Sequence, residues 1–177
     1  MFQPRHLIVV FCLALLLGCS SAPLALNYTP SSLIQGKGSV QVQEFVYDPA
    51  VAGEVKDDQI KNTAIGRIRL GRPVGPFVTE AFAAEFKYAG YMLENGRFLV
   101  IGDIQDFMAD DLGFSVDWTL KMKVQLKSPS GKVLATKDIE IKKKLEKFSG
   151  FITSLNLLIK EAFVQMMSDP KFKQAIH

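Results

Sequence analysis

The chain has 177 residues, 21 Lys and Arg against 18 Asp and Glu, and a formal net charge of +3. So small an excess argues against a dedicated nucleic-acid binder, which shows a strong basic surplus. Two Cys and two His leave little room for thiol, Ser-His-Asp or zinc chemistry: Cys12 and His6 lie in the first eighteen residues, and His177 is the final residue, a poor place to fix an imidazole.

In chain order, Arg5 and His6 precede an apolar run of eleven residues, Leu7 to Leu17, followed by Gly18 and Cys19. Crossing a bilayer needs about 20 residues, so the run is too short to span. A charged start, an apolar middle and a small residue are the layout of a secretory signal. The segment Leu16-Leu17-Gly18-Cys19 resembles the lipobox of bacterial lipoproteins. That resemblance implies that residues 1–18 are a cleaved signal peptide, that Cys19 carries acyl chains, and that Ser20 directs sorting to the outer membrane of a Gram-negative bacterium. It implies a lipid anchor facing the periplasm. With 18 of 177 residues removed, 159 remain, enough for one domain with its own core. The mature balance becomes 20 basic against 18 acidic residues, because only Arg5 is lost.

Residues 19–38 read as the lipidated N-terminus and a flexible tether, rich in Pro, Ser and Gly without a period. A coil of that length has a root-mean-square span of about 25 Å. Leu33-Ile34 is the part suited to docking on the body. Residues 39–177 form the expected single globular domain.

The first strand is expected over Ser39–Tyr47, with Val40, Val42 and Val46 on one face and a break at Glu44. Asp48–Thr63 reads as a loop and Ile65–Leu70 as a short strand. Gly71 to Pro76 leads into a helix whose apolar stripe is Val74, Phe77, Val78, Ala81, Phe82, Phe86 and Ala89. Glu80 and Glu85 are placed on its outer face, and Gly90 at its C-terminal cap. Although anions bind at helix N-termini, Gly71–Pro76 lacks the Gly-Lys-Ser/Thr of a phosphate loop.

Three strands follow, at Arg97–Met108, Gly113–Lys127 and Val133–Leu145. The middle one has the clearest period: Phe114, Val116, Trp118, Leu120, Met122, Val124 and Leu126 alternate with polar residues. Ser128-Pro129-Ser130-Gly131 is a turn. A last helix is expected from an N-cap at Ser149 to Asp169-Pro170, with Phe151, Ile152, Leu155, Leu158, Ile159, Ala162, Phe163 and Met166 as its stripe. The expected fold is α+β, a two-layer sandwich of a mostly antiparallel sheet with two amphipathic helices packed on one face.

This order of elements, with Ala89-Gly90-Tyr91 after the first helix, the long alternating strand and Met167-Ser168-Asp169 after the last, is similar to the YajG-type family of small outer-membrane lipoproteins. Membership implies location and fold rather than an activity.

Two clusters are candidates for function. Asp103, Asp106, Asp110, Asp111 and Asp117 have oxygen ligands for a divalent cation or paired carboxylates for a glycan hydrolase; their ordinary reading is a solvated strand end. Lys121, Lys123 and Lys127, with Lys142 and Lys144, make a basic sheet face suited to anionic polymers or headgroups, or a solvated face that discourages edge pairing. Trp118 and most Phe read as core, with Phe148 and Phe151 able to form a small exposed patch. The expected function is a non-catalytic binding module in outer-membrane maintenance or assembly. Its partners are the membrane through the acyl chains and an envelope protein or anionic envelope polymer. No cofactor, metal ligand or catalytic residue is assigned. The alternative is a carboxylate-dependent hydrolase of envelope glycan or lipid.

Overall fold

The alternation along residues 116–126 builds the strand on which the rest of the sheet is ordered. We describe residues 26–93 and 97–176, from a computed structural model. The signal segment, Cys19 and Ser20 lie outside the described residues. Among the described residues seven strands form one mixed, mostly antiparallel sheet. Strands β5 (Phe98–Asp110), β6 (Ser115–Lys127) and β7 (Val133–Glu146) make a long antiparallel meander. In β6 every residue of the alternating set from Val116 to Leu126 is buried. A register shift between Ile104 and Asp106 moves the buried parity of β5 from Val100 and Ile104 to Phe107 and Ala109. That bulge explains why its hydrophobic pattern looked mixed in the sequence.

Three short parallel strands pair in succession with β5: β1 (Val40–Val42) with Phe98–Val100, β2 (Val46–Tyr47) with Asp103 and Ile104, and β3 (Gln59–Asn62) with Met108 and Ala109. Strand β4 (Gly66–Arg69) returns antiparallel on β3. The single strand expected over 39–47 is thus two, broken near Glu44. At the break Phe45 turns into the core and its ring lies against Gly102, where a Cβ would stand 2.9 Å from the ring carbons. The expected loop at 48–63 instead holds helix α1 (Asp48–Val51) and β3. Gln59-Ile60-Lys61-Asn62 carries one strongly apolar residue, so pairing with β5 rather than its own pattern makes it a strand.

Helix α2 (Val74–Tyr88) ends at Ala89, with Gly90 at a φ of 98° where an L side chain is strained. Helix α3 (Phe151–Ser168) is followed by α4 (Pro170–Ile176). The N-cap of α3 is Gly150, not Ser149, whose hydroxyl donates back to the Glu146 carbonyl. The long helices meet through Phe82 and Phe163, edge to face at 5.8 Å, in one apolar cluster with the inward residues of β5–β7. Lys137 and Lys143 of β7 reach across to Asp169 and Glu161 at 3.5 and 2.9 Å. Among the described residues no helix is long and apolar enough to cross a membrane.

Candidate functional site: a strapped groove along the last helix

Glu85 does not face outward. It is fully buried and accepts three hydrogen bonds from the N-terminal segment: from the Tyr28 hydroxyl at 2.5 Å, the Ser31 N–H at 3.0 Å and the Ser32 N–H at 3.1 Å. A buried carboxylate with three donors meets the requirement that a buried charge be fully hydrogen-bonded. Burial, then the bond and the charge of Glu85, push the Tyr28 hydroxyl far above its usual range. From Leu26 to Gly38 the segment is therefore a strap rather than a free tether. Leu26 is buried, the Asn27 carbonyl accepts from the Asn156 side chain at 3.3 Å, and the Gly36 N–H donates to the Ala89 carbonyl at 2.8 Å. Gly36 must lack a Cβ because the Tyr91 ring lies on that position.

The strap forms one wall of a groove of about 620 Å³, within the size range of small-ligand sites. Leu33 and Ile34 stand on the strap side, Ile141 of β7 lies deeper, and Lys160, Val164 and Gln165 come from α3. The α3 residues share one helical face because they lie one and four positions apart. Leu33 is held out almost fully exposed, while the Ser32 hydroxyl is buried with no partner among the described residues. The groove's one lining carboxylate, Glu161, is ion-paired with Lys143. The lining is thus mainly apolar with a polar rim, suited to holding an extended apolar segment rather than to proton transfer.

The acidic set does not gather. Asp106 pairs with Lys61 at 3.2 Å, Asp110 accepts from the Thr63 hydroxyl at 2.7 Å, Asp111 pairs with Lys147 at 2.8 Å, and Asp117 faces Lys144 at 3.9 Å. Asp103 lies opposite Lys123. Among the described residues no three carboxylate, His or Cys groups are placed to share a metal ion. Beside this set the Tyr47 hydroxyl is buried without a partner and is driven upward, by burial first and then by Asp106 and Glu54. Lys61 is held above the usual ammonium range, chiefly by its 2.8 Å bond to Glu54.

The five lysines do share the outward parity of β6 and β7, but they do not make a basic surface. Glu140 lies between Lys121 and Lys142, at 3.4 and 2.9 Å, and those contacts lower its carboxyl below the usual range. Lys123 sits between Asp103 and Asp138, and Lys127 between Leu99 and Val133. Lys127 apart, the face is a ladder of cross-strand charge pairs. Phe114, expected in the buried row, is fully exposed, as is Phe148, whereas Phe151 is half-buried against Trp118 with ring centroids 5.3 Å apart.

The sequence matches no protein-family model and no curated protein. The backbone is similar to that of protein XCC0632 from Xanthomonas campestris, of the family model DUF330, with a TM-score of 0.56, 12% identity, and coverage of 81% of this chain and 88% of that one. It is also similar to hypothetical protein CT253 from Chlamydia trachomatis, with a TM-score of 0.54, 9% identity, and coverage of 78% and 98%. Lipoprotein GNA1162 from Neisseria meningitidis overlaps more loosely, at a TM-score of 0.43 and 11% identity over 75% of this chain and 99% of that one. At these identities the likeness shows a shared fold: this α+β architecture is one that other bacterial proteins adopt.

Proposed function

We propose that the chain is a lipid-anchored envelope lipoprotein of the YajG type, acting as a non-catalytic binding module in outer-membrane maintenance or assembly. In this reading Cys19 carries the acyl chains and Ser20 directs the protein to the outer membrane, facing the periplasm. The body is a two-layer sandwich with both long helices on one face. The observation that carries the binding role is the apolar groove between Leu33-Ile34 and the Lys160–Gln165 face of α3. Its occupant is an extended apolar segment of an envelope partner. A hydrolase gains no support from a groove whose one carboxylate is held by Lys143.

A photo-crosslinking amino acid at Val164, introduced in intact cells, tests this role against the same group at Ser130 on the β6–β7 turn. Adducts from Val164 and not from Ser130 are expected. Equal silence at both positions sinks the groove as a binding site. The mass of the N-terminal peptide of the mature protein tests the anchor independently.

A further inference from the structure

Four large apolar side chains stand exposed on turns: Ile65 at 74%, Leu112 at 77%, Phe114 at 102% and Phe148 at 96% of full exposure. The sheet register brings these turns together. The β3–β4 turn follows Asn62, which lies opposite Ala109 near the end of β5. The β5–β6 hairpin tip follows Asp110, paired with Asp117, and the loop before α3 follows Glu146, paired with Ser115. Polar contacts tie the three turns from beneath. The Thr63 hydroxyl donates to the Asp110 carboxylate at 2.7 Å and accepts from the Asp111 N–H at 2.8 Å, and Lys147 pairs with Asp111 at 2.8 Å. The carboxylates are occupied within the turns while the apolar groups project beyond them. An isolated exposed Leu needs no explanation, but four large apolar groups at one end of a sheet do.

The path of the chain indicates what covers them. The strap leaves β1, at the opposite end of β5, passes Ala89, and is last fixed where Asn156 holds the Asn27 carbonyl. Asn156 lies five residues, about 7.5 Å along the axis, beyond Phe151, the first residue of α3. Traced back toward Cys19, the chain is therefore heading for the end that carries Phe148. From Leu26 to Cys19 are seven residues, a reach of at most about 25 Å.

We propose that this end of the domain docks on the lipid bilayer, with Phe114 and Phe148 at its centre and Ile65 and Leu112 beside them in the interface. The proposal rests on the acylated Cys19 of the preceding section. The acyl chains already hold the domain near the bilayer, so insertion of the turns is an intramolecular step at high effective concentration and needs little affinity of its own. Aromatic and aliphatic groups over a polar base suit the headgroup boundary. The opposite end presents the polar turn Ser128–Gly131, and its apolar groups, Tyr88, Met92 and Val133, are less exposed than those four. Docking thus stands the sheet end-on to the membrane.

The acylated mature protein in phosphatidylethanolamine–phosphatidylglycerol vesicles provides the test. Cys19 is blocked by its modification and Cys12 belongs to the removed segment, so Phe114→Cys, Phe148→Cys or Ser130→Cys each supplies one thiol for a nitroxide. All three positions are exposed, and circular dichroism checks that each variant folds. In power-saturation measurements, labels at 114 and 148 are expected to be accessible to oxygen and protected from a water-soluble nickel chelate, with the label at 130 open to the chelate. If the protein floats with the vesicles but the label at 114 meets the chelate as freely as that at 130, docking is overturned and a protein partner becomes the better occupant. If mass spectrometry finds Cys19 unacylated and the protein fails to float, the anchor itself is wrong and the docking proposal falls with it.

Discussion

Glu85→Ala removes the acceptor that three strap donors share. Hydrogen bonds to a charged group contribute about 1.5–3 kcal/mol each, so about 4.5–9 kcal/mol bounds the loss if the strap stayed in place with its donors dry. It need not stay. Ser31 is exposed and its N–H regains water at once, whereas the Ser32 N–H is buried and the Tyr28 ring half-buried. The strap can peel back, hydrating every donor at the expense of the apolar contacts of Leu26 and Ile34. Detachment therefore caps the loss, and we expect about 3 kcal/mol, a fall in Tm of roughly 6–12 °C for a domain of this size. Glu85→Gln keeps one acceptor oxygen and should lose about half as much. Thermal melting reads the total, and amide exchange over residues 28–36 locates it. If Glu85→Ala leaves both the melting point and the exchange of the strap unchanged, the clamp does not hold the segment and the groove wall is not built as described.

Alkaline titration should release the same strap. The folded pKa of Tyr28 is raised above its unfolded value, so its contribution is fully present below about pH 10 and is lost as pH rises further; tyrosinate absorbance should lag a free-tyrosine curve, and the lag should shrink in Tyr28→Phe. Gly102→Ala would drive a Cβ to 2.9 Å from the Phe45 ring and should destabilise the domain by about 1–3 kcal/mol, read by chemical denaturation; an unchanged midpoint would mean that Phe45 does not fill that space. Changing Lys121 and Lys142 together to Ser should leave the melting point almost unchanged, because their contacts with Glu140 are solvent-exposed and screened, and should leave unaltered the uptake by anionic vesicles of protein carrying the proposed acyl chains; a marked loss of uptake would restore the basic-face reading.

Much of the body was legible because its signals are local. A strand such as β6 states its own period through Val116, Trp118, Leu120, Met122, Val124 and Leu126, and the two helical stripes do the same at a spacing of three and four. The misread positions depend on distant partners. Glu85 lies four residues after Ala81 and seven after Val78, on the buried stripe by spacing, yet its charge suggested an outward place. A carboxylate on an apolar stripe was the available signal that donors must come from elsewhere. The sequence could not show that those donors are Tyr28, Ser31 and Ser32, more than fifty positions away.

Phe114 fits the alternation of β6 but falls one residue before its first pair, at a hairpin tip with nothing above it. The strand expected over 39–47 was legible from its valines, but its division into β1 and β2 was not, and β3 is too short and too polar to announce itself; all three pair along one edge of β5. By itself the sequence determined the long elements and, Glu85 and Phe114 apart, the side each buries. Only the tertiary structure decided that residues 26–38 form a strap, that a groove opens beside α3, and that three turns bring their apolar tips to one end. Periodicity records what a segment does with its own faces, whereas contacts between segments far apart in the chain arise only once the backbone has closed around them.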